Sequence, residues 1–181
     1  MKSKVIFLLC AFSVVPAVAM CATVLPDACG NEKVSFKIQL RKKAPARAAP
    51  EAGKAQVFFI EKSAMPRVVI GCIGCSDVTR FGVDGAWVGA TRNNSYFSIS
   101  LEPGVHHLCA VQGKEVEAEP LTVEAGQTYY FQIEYKTVQY GTPGEPGFHA
   151  EKKIKFSMLN EDDGKYRIKA SALSIATPKH P

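Results

Sequence analysis

The chain has 181 residues, 46% of them hydrophobic, and a formal charge of +5. That length suits one domain with short appendages, and the apolar fraction supports a packed core and excludes a largely disordered chain. The mild charge, with few basic residues interleaved with aromatics, excludes a typical nucleic-acid binder.

Residues 1–19 form a signal-peptide pattern: Lys2 and Lys4 make a basic start, residues 5–15 an apolar run, and Ala17-Val18-Ala19 a small-residue cleavage site. The apolar run is too short to span a bilayer, and no second run is longer. Cleavage after Ala19 leaves 20 basic and 17 acidic residues. Cys21 follows closely and is a candidate lipidation site, although Met20 is a poor residue to precede a lipidated cysteine. The chain is therefore expected to be exported, to the periplasm or the medium, or as an outer-membrane lipoprotein held through Cys21.

Beyond residue 31, Val34, Phe36, Ile38 and Leu40 alternate with polar residues, which marks a half-buried strand over residues 32–40. Residues 41–54 (RKKAPARAAPEAGK) carry two prolines and no apolar period, so they suit an extended basic linker. Residues 56–61 (QVFFIE) form a continuous apolar run, the mark of a central strand covered on both faces. Residues 67–73 suit a further extended piece.

Residues 78–111 are broken at Asp84-Gly85, at Asn93-Asn94-Ser95 and at Pro103-Gly104. Asp-Gly suits a type I′ hairpin turn, where both central residues take positive φ. Pro-Gly suits a type II turn. Together they predict a meander of antiparallel strands. Phe97, Ile99 and Leu101 should face inward, and residues 105–111, apolar on both faces, should lie inside a sheet. Pro120 assigns residues 115–123 to an edge. Tyr129, Phe131, Ile133 and Tyr135 share one face of the next strand; residues 138–149, rich in Gly and Pro, suit a loop. Ile154, Phe156 and Met158 should point inward from a last strand. Asn160 caps a short helix with Glu161, Asp162 and Asp163 in its first turn, although Gly164 weakens it.

The expected fold is all-β: an antiparallel β-sandwich of seven or eight short strands with one short C-terminal helix. Its parts are a signal peptide (1–19), an N-terminal strand and linker (20–54), the sandwich (55–175) and a fraying tail (176–181).

Exported chains keep disulfides, so Cys29, Cys72, Cys75 and Cys109 are expected to form two bridges. The expected pairing joins Cys109 to Cys72 or Cys75, with Cys29 taking the other. The Cys72-x-x-Cys75 spacing also occurs in redox pairs, but the helix that would depress a thiol pKa is missing. Cys72, Cys75 and Cys109 with His106 or His107 have zinc-ligand chemistry, yet adjacent strand histidines point to opposite faces and only His107 shares that of Cys109. No cofactor, metal or catalytic set is assigned. GxSxG and HExxH are absent, Asp77, Glu102 and Glu134 are scattered, and Asp84 is explained by its turn. Trp87, Tyr96 and Tyr130 are candidates for stacking on sugar rings if exposed.

Val83-Asp84-Gly85, Val88-Gly89, Tyr96-Phe97, Pro103-Gly104 with His106, and the run from Ala125 to Tyr130 resemble a bacterial exported family, domain of unknown function 2846. The turn Leu101-Glu102-Pro103-Gly104 also resembles PEGA-type β-sandwiches, which are carboxypeptidase-regulatory-like. The resemblance spans residues 55–174 and implies a small sandwich on secreted proteins or lipoproteins, without catalytic residues to carry over. The expected role is structural or protein-interacting in the cell envelope, with an envelope protein or a glycan such as peptidoglycan as partner. A thiol or zinc site is a further alternative.

Overall fold

The computed structural model describes residues 25–42, 50–62 and 78–179. The signal peptide, Cys21, the extended piece at 67–73 and the Cys72–Cys75 pair lie outside the described residues. The strands are β1 (Ser35–Arg41), β2 (Ala55–Glu61), β3 (Thr79–Val83), β4 (Ala86–Thr91), β5 (Ser95–Leu101), β6 (Gly104–Gln112), β7 (Glu115–Val123), β8 (Thr128–Tyr140) and β9 (His149–Leu159). Helix α1 (Glu161–Lys169) and strand β10 (Ala172–Lys179) follow.

The fold is an all-β sandwich of two sheets. One has six strands in the order β1-β10-β5-β2-β8-β9, the other four in the order β4-β3-β6-β7. Strand β2 is buried at every position and lies between β5 and β8. One of its faces carries Val57 and Phe59 into the core between the sheets, where Phe59 meets Phe81, Phe97 and Phe131 with ring centroids 4.9–6.4 Å apart. Its other face carries Phe58 and Ile60, which pack with Tyr96, Tyr130 and Ile168 of α1. A run apolar on both faces thus finds cover on both, as its composition requires.

Several expectations need correction. The strands of residues 78–111 do not form one meander. Asp84-Gly85 does close a hairpin, with φ of 50° and 83°. At Asn93 (φ 60°) the chain instead crosses to the six-stranded sheet, and at Pro103-Gly104 it crosses back. Gly104 takes φ 143°, far from the value of about 80° at that position in a type II turn. Turn residues reverse a chain without naming the sheet that receives the next strand. Second, there are ten strands among the described residues, and two pairings, β2 with β8 and β10 with β5, are parallel. Residues 176–179 do not fray: β10 runs to Lys179 and pairs along its length with β1. Third, β8 and β9 extend into the predicted loop and confine it to residues 141–148, while Met158, near the end of edge strand β9, is 66% exposed rather than inward.

Helix α1 has the expected cap, Asn160 Oδ1 accepting from the Asp163 N–H at 2.9 Å. Gly164 has a packing reason: a Cβ there would collide with the Tyr130 ring. A bare backbone lets the helix lie flat on that ring. Gly164→Ala is therefore expected to destabilise the protein by about 1–3 kcal/mol through overpacking, against the roughly 1 kcal/mol that alanine gains over glycine in an open helix. Urea denaturation checks the sign; a stabilised variant would contradict the close approach.

Candidate functional site

Chemistry-bearing side chains gather in three places. The first is the β3–β4 turn. The left-handed φ of Asp84 turns its carboxylate toward β6, where Oδ1 accepts from the His107 backbone N–H at 2.8 Å. Oδ2 lies 2.6 Å from His106 Nδ1, and His106 Nε2 lies 2.8 Å from the Glu102 carbonyl oxygen. Both ring nitrogens thus face acceptors, an arrangement that suits the doubly protonated imidazolium. Burial opposes charge on His106, but the hydrogen bonds to Asp84 and the Glu102 carbonyl, with the Asp84 charge, outweigh it and raise its pKa above the ordinary 6.5. Burial likewise opposes charge on Asp84, yet the hydrogen bonds from His106 and His107 hold it below 3.8.

The signs set a pH window. The Asp84 contribution to stability is present above pH about 4 and is lost as pH falls through its lowered pKa. The His106 contribution is present below pH about 6.5 and is lost as pH rises through its raised pKa. The unfolding midpoint in urea should therefore fall between pH 6 and 9, and His106→Gln should flatten that decline. An equally steep decline in the variant would remove His106 from the account.

Beside this turn runs a groove of about 520 Å³, lined by Pro26, Ala28, Ala118 and Pro120 and by Asp27, Asp84, His107 and Glu119. Burial, then the neighbouring Glu117 charge, raises the Glu119 carboxyl. His107 is exposed and stands 3.9 Å from Asp84.

The second place is the strap of residues 25–34, which crosses the outer face of the four-stranded sheet. Cys29 is bonded to Cys109 of β6 across 80 residues, with Cα atoms 5.2 Å apart. Both cysteines were expected to be bridged, but not to each other. The pairing follows from the strap's path, which places Cys29 over the outward side chain of Cys109. The bridge also removes Cys109 from the zinc set; among the described residues no group of three or more His, Cys, Asp or Glu could hold a metal.

Trp87 lies under the strap. Its indole N–H donates to the Asn31 carbonyl at 2.7 Å, and the Arg80 guanidinium stands 4.6 Å over the ring. Arg80 itself donates to the carbonyls of Glu32 and Val34. Trp87 is thus occupied by its own chain. Tyr96 is 7% exposed and Tyr130 1%, so neither can stack on a sugar. Both pack on the face of the six-stranded sheet that meets Ile168 of α1.

The third place was not foreseen. Between the sheets, at the end where β2 finishes and β3 begins, five polar side chains join. Glu61, 3% exposed, accepts from Thr91 Oγ1 at 2.6 Å and from the Tyr135 hydroxyl at 2.9 Å. Gln112 Nε2 donates to Thr79 Oγ1 and to the Tyr135 oxygen, both at 2.9 Å. Burial, then the Glu61 charge, pushes the Tyr135 phenol far above its ordinary range. The available signal was a carboxylate closing the apolar run QVFFIE. Asp77 lies outside the described residues; Glu102 and Glu134 join none of these groups through their carboxylates.

No protein-family model matches the chain, and neither does any curated protein or solved structure.

Proposed function

We propose that the chain is an exported, non-enzymatic β-sandwich of the bacterial cell envelope with a structural or protein-interaction role. The observation that carries this is the Cys29–Cys109 bridge, which closes the strap onto the sheet. Such bridges persist in oxidising compartments and are rare in the cytosol. The signal-peptide pattern of residues 1–19 points the same way, and so does the resemblance to exported sandwich domains. Two of the polar groups suited to chemistry are engaged internally: His106 has a partner at each ring nitrogen, and the Glu61 carboxylate lies between two hydroxyls. The acidic groove beside Asp84 supplies a surface for a protein partner.

The test is fractionation of the producing cell with thiol trapping. The protein should appear outside the cytoplasm with Cys29 and Cys109 protected from alkylation before reduction. Recovery from the cytoplasm with both thiols free, or hydrolase or oxidoreductase activity of the purified protein, would overturn the proposal.

A further inference from the structure

We infer that residues 25–34 are a redox-latched strap, seated on the sandwich when Cys29 and Cys109 are oxidised and released when they are reduced. The inference rests on the export reading and adds a conformational step to it.

The strap contains no strand; regular pairing begins only at Ser35. Among the described residues, scattered hydrogen bonds rather than a ladder join the strap to the sandwich beside the bridge. Gly85 N–H donates to Ala28 O, Trp87 to Asn31 O, and Arg80 to Glu32 O and Val34 O. A segment held by scattered bonds opens more readily than strands held by continuous ladders. The bridge ties down its middle.

The seat is specific. A Cβ at Gly82 would stand 2.9 Å from the Ala28 carbonyl oxygen, and one at Gly30 would reach the Trp87 ring at 2.5 Å. The strap lies directly on β3 and on the indole. Beneath it Cys109 and Val111 are buried in a cluster with Leu25, Ala28, Trp87 and Val116. Lifting the strap brings this outer face into contact with water. It also removes Pro26, Asp27 and Ala28, one wall of the acidic groove, so the groove is complete only in the oxidised protein.

Closure is an ordinary exchange. With the strap open, the Cys29 thiolate attacks a disulfide oxidant and forms a mixed disulfide, releasing one oxidant sulfur as thiolate. The Cys109 thiolate then displaces the second. The two cysteines give up two electrons and two protons, and the oxidant leaves as a dithiol. A dithiol reductant runs the steps in reverse.

The chain's single tryptophan lies under the strap and reports on it. The exported protein is compared at 25 °C with and without dithiothreitol, reduction being verified by mass. Trp87 emission is expected to shift to the red. Amide exchange protection should be lost across residues 25–34 and kept across β2, β3 and β6. Cys29→Ser should give the same emission without reductant, which assigns the effect to this bridge rather than to Cys72 or Cys75. Unchanged emission and protection after verified reduction would overturn the latch, as would loss of protection throughout the sandwich. Recovery of the protein from the cytoplasm would count against the export reading alone and would leave this comparison intact.

Discussion

Replacing Glu61 by alanine is expected to lower the free energy of unfolding by about 2–4 kcal/mol, since an unsatisfied buried donor costs about 1–3 kcal/mol and a cavity adds to it. The carboxylate sits between the sheets and accepts from Thr91 and Tyr135, while Gln112 links Tyr135 to Thr79. Removing the acceptor leaves the buried Thr91 hydroxyl and the partly buried Tyr135 hydroxyl without it. Glu61→Gln keeps the shape and one acceptor oxygen, so it should recover part of the loss. Urea denaturation at pH 7 followed by circular dichroism checks both variants. A loss for Glu61→Ala well under about 1 kcal/mol, the scale of an ordinary surface change, would place Glu61 outside a closed network.

Removing the Cys29–Cys109 bridge in a Cys29→Ser, Cys109→Ser variant is expected to cost about 4 kcal/mol on the chain-entropy account. The reason is the long separation of 80 residues, which confines much of the unfolded chain when the bond is intact. For a chain of this size such a loss lowers Tm on the order of 10 °C. The sandwich should still fold at 25 °C, because its core of Phe59, Phe81, Phe97, Phe131 and Phe156 lies between the sheets and not under the strap. Differential scanning calorimetry of the oxidised protein and the variant provides the check. An unchanged Tm would mean that the bond does not restrain the unfolded chain.

Local chemistry was legible in the sequence wherever few residues determined it. The run QVFFIE announced a central strand, Asp84-Gly85 a turn with two positive φ angles, Pro120 an edge, and Asn160 a helix cap. What stayed hidden depends on partners far along the chain. The cysteine pairing required knowing that residues 25–34 fold back over β6. The sequence left the exposure of Tyr96 and Tyr130 open because nothing local shows that α1 will cover their face. Glu61 at a strand end looks the same whether the strand stops at solvent or beneath a second sheet. Asp84 had a sufficient local explanation in its turn, which concealed its bonds to His106 and His107. The breaks at Asn93 and Pro103-Gly104 were visible, but a turn that crosses between sheets has the same residues as one that closes a hairpin. Gly164 appeared as a weakness of the helix until the Tyr130 ring beneath it explained the missing side chain.

The most direct test is a non-reducing peptide map of the protein recovered from outside the cytoplasm. We predict a peptide containing Cys29 linked to one containing Cys109, from a chain that begins after Ala19. Cys109 linked to Cys72 or Cys75 would contradict the strap and the latch, and a free Cys109 thiol in the recovered protein would contradict the compartment assigned to them.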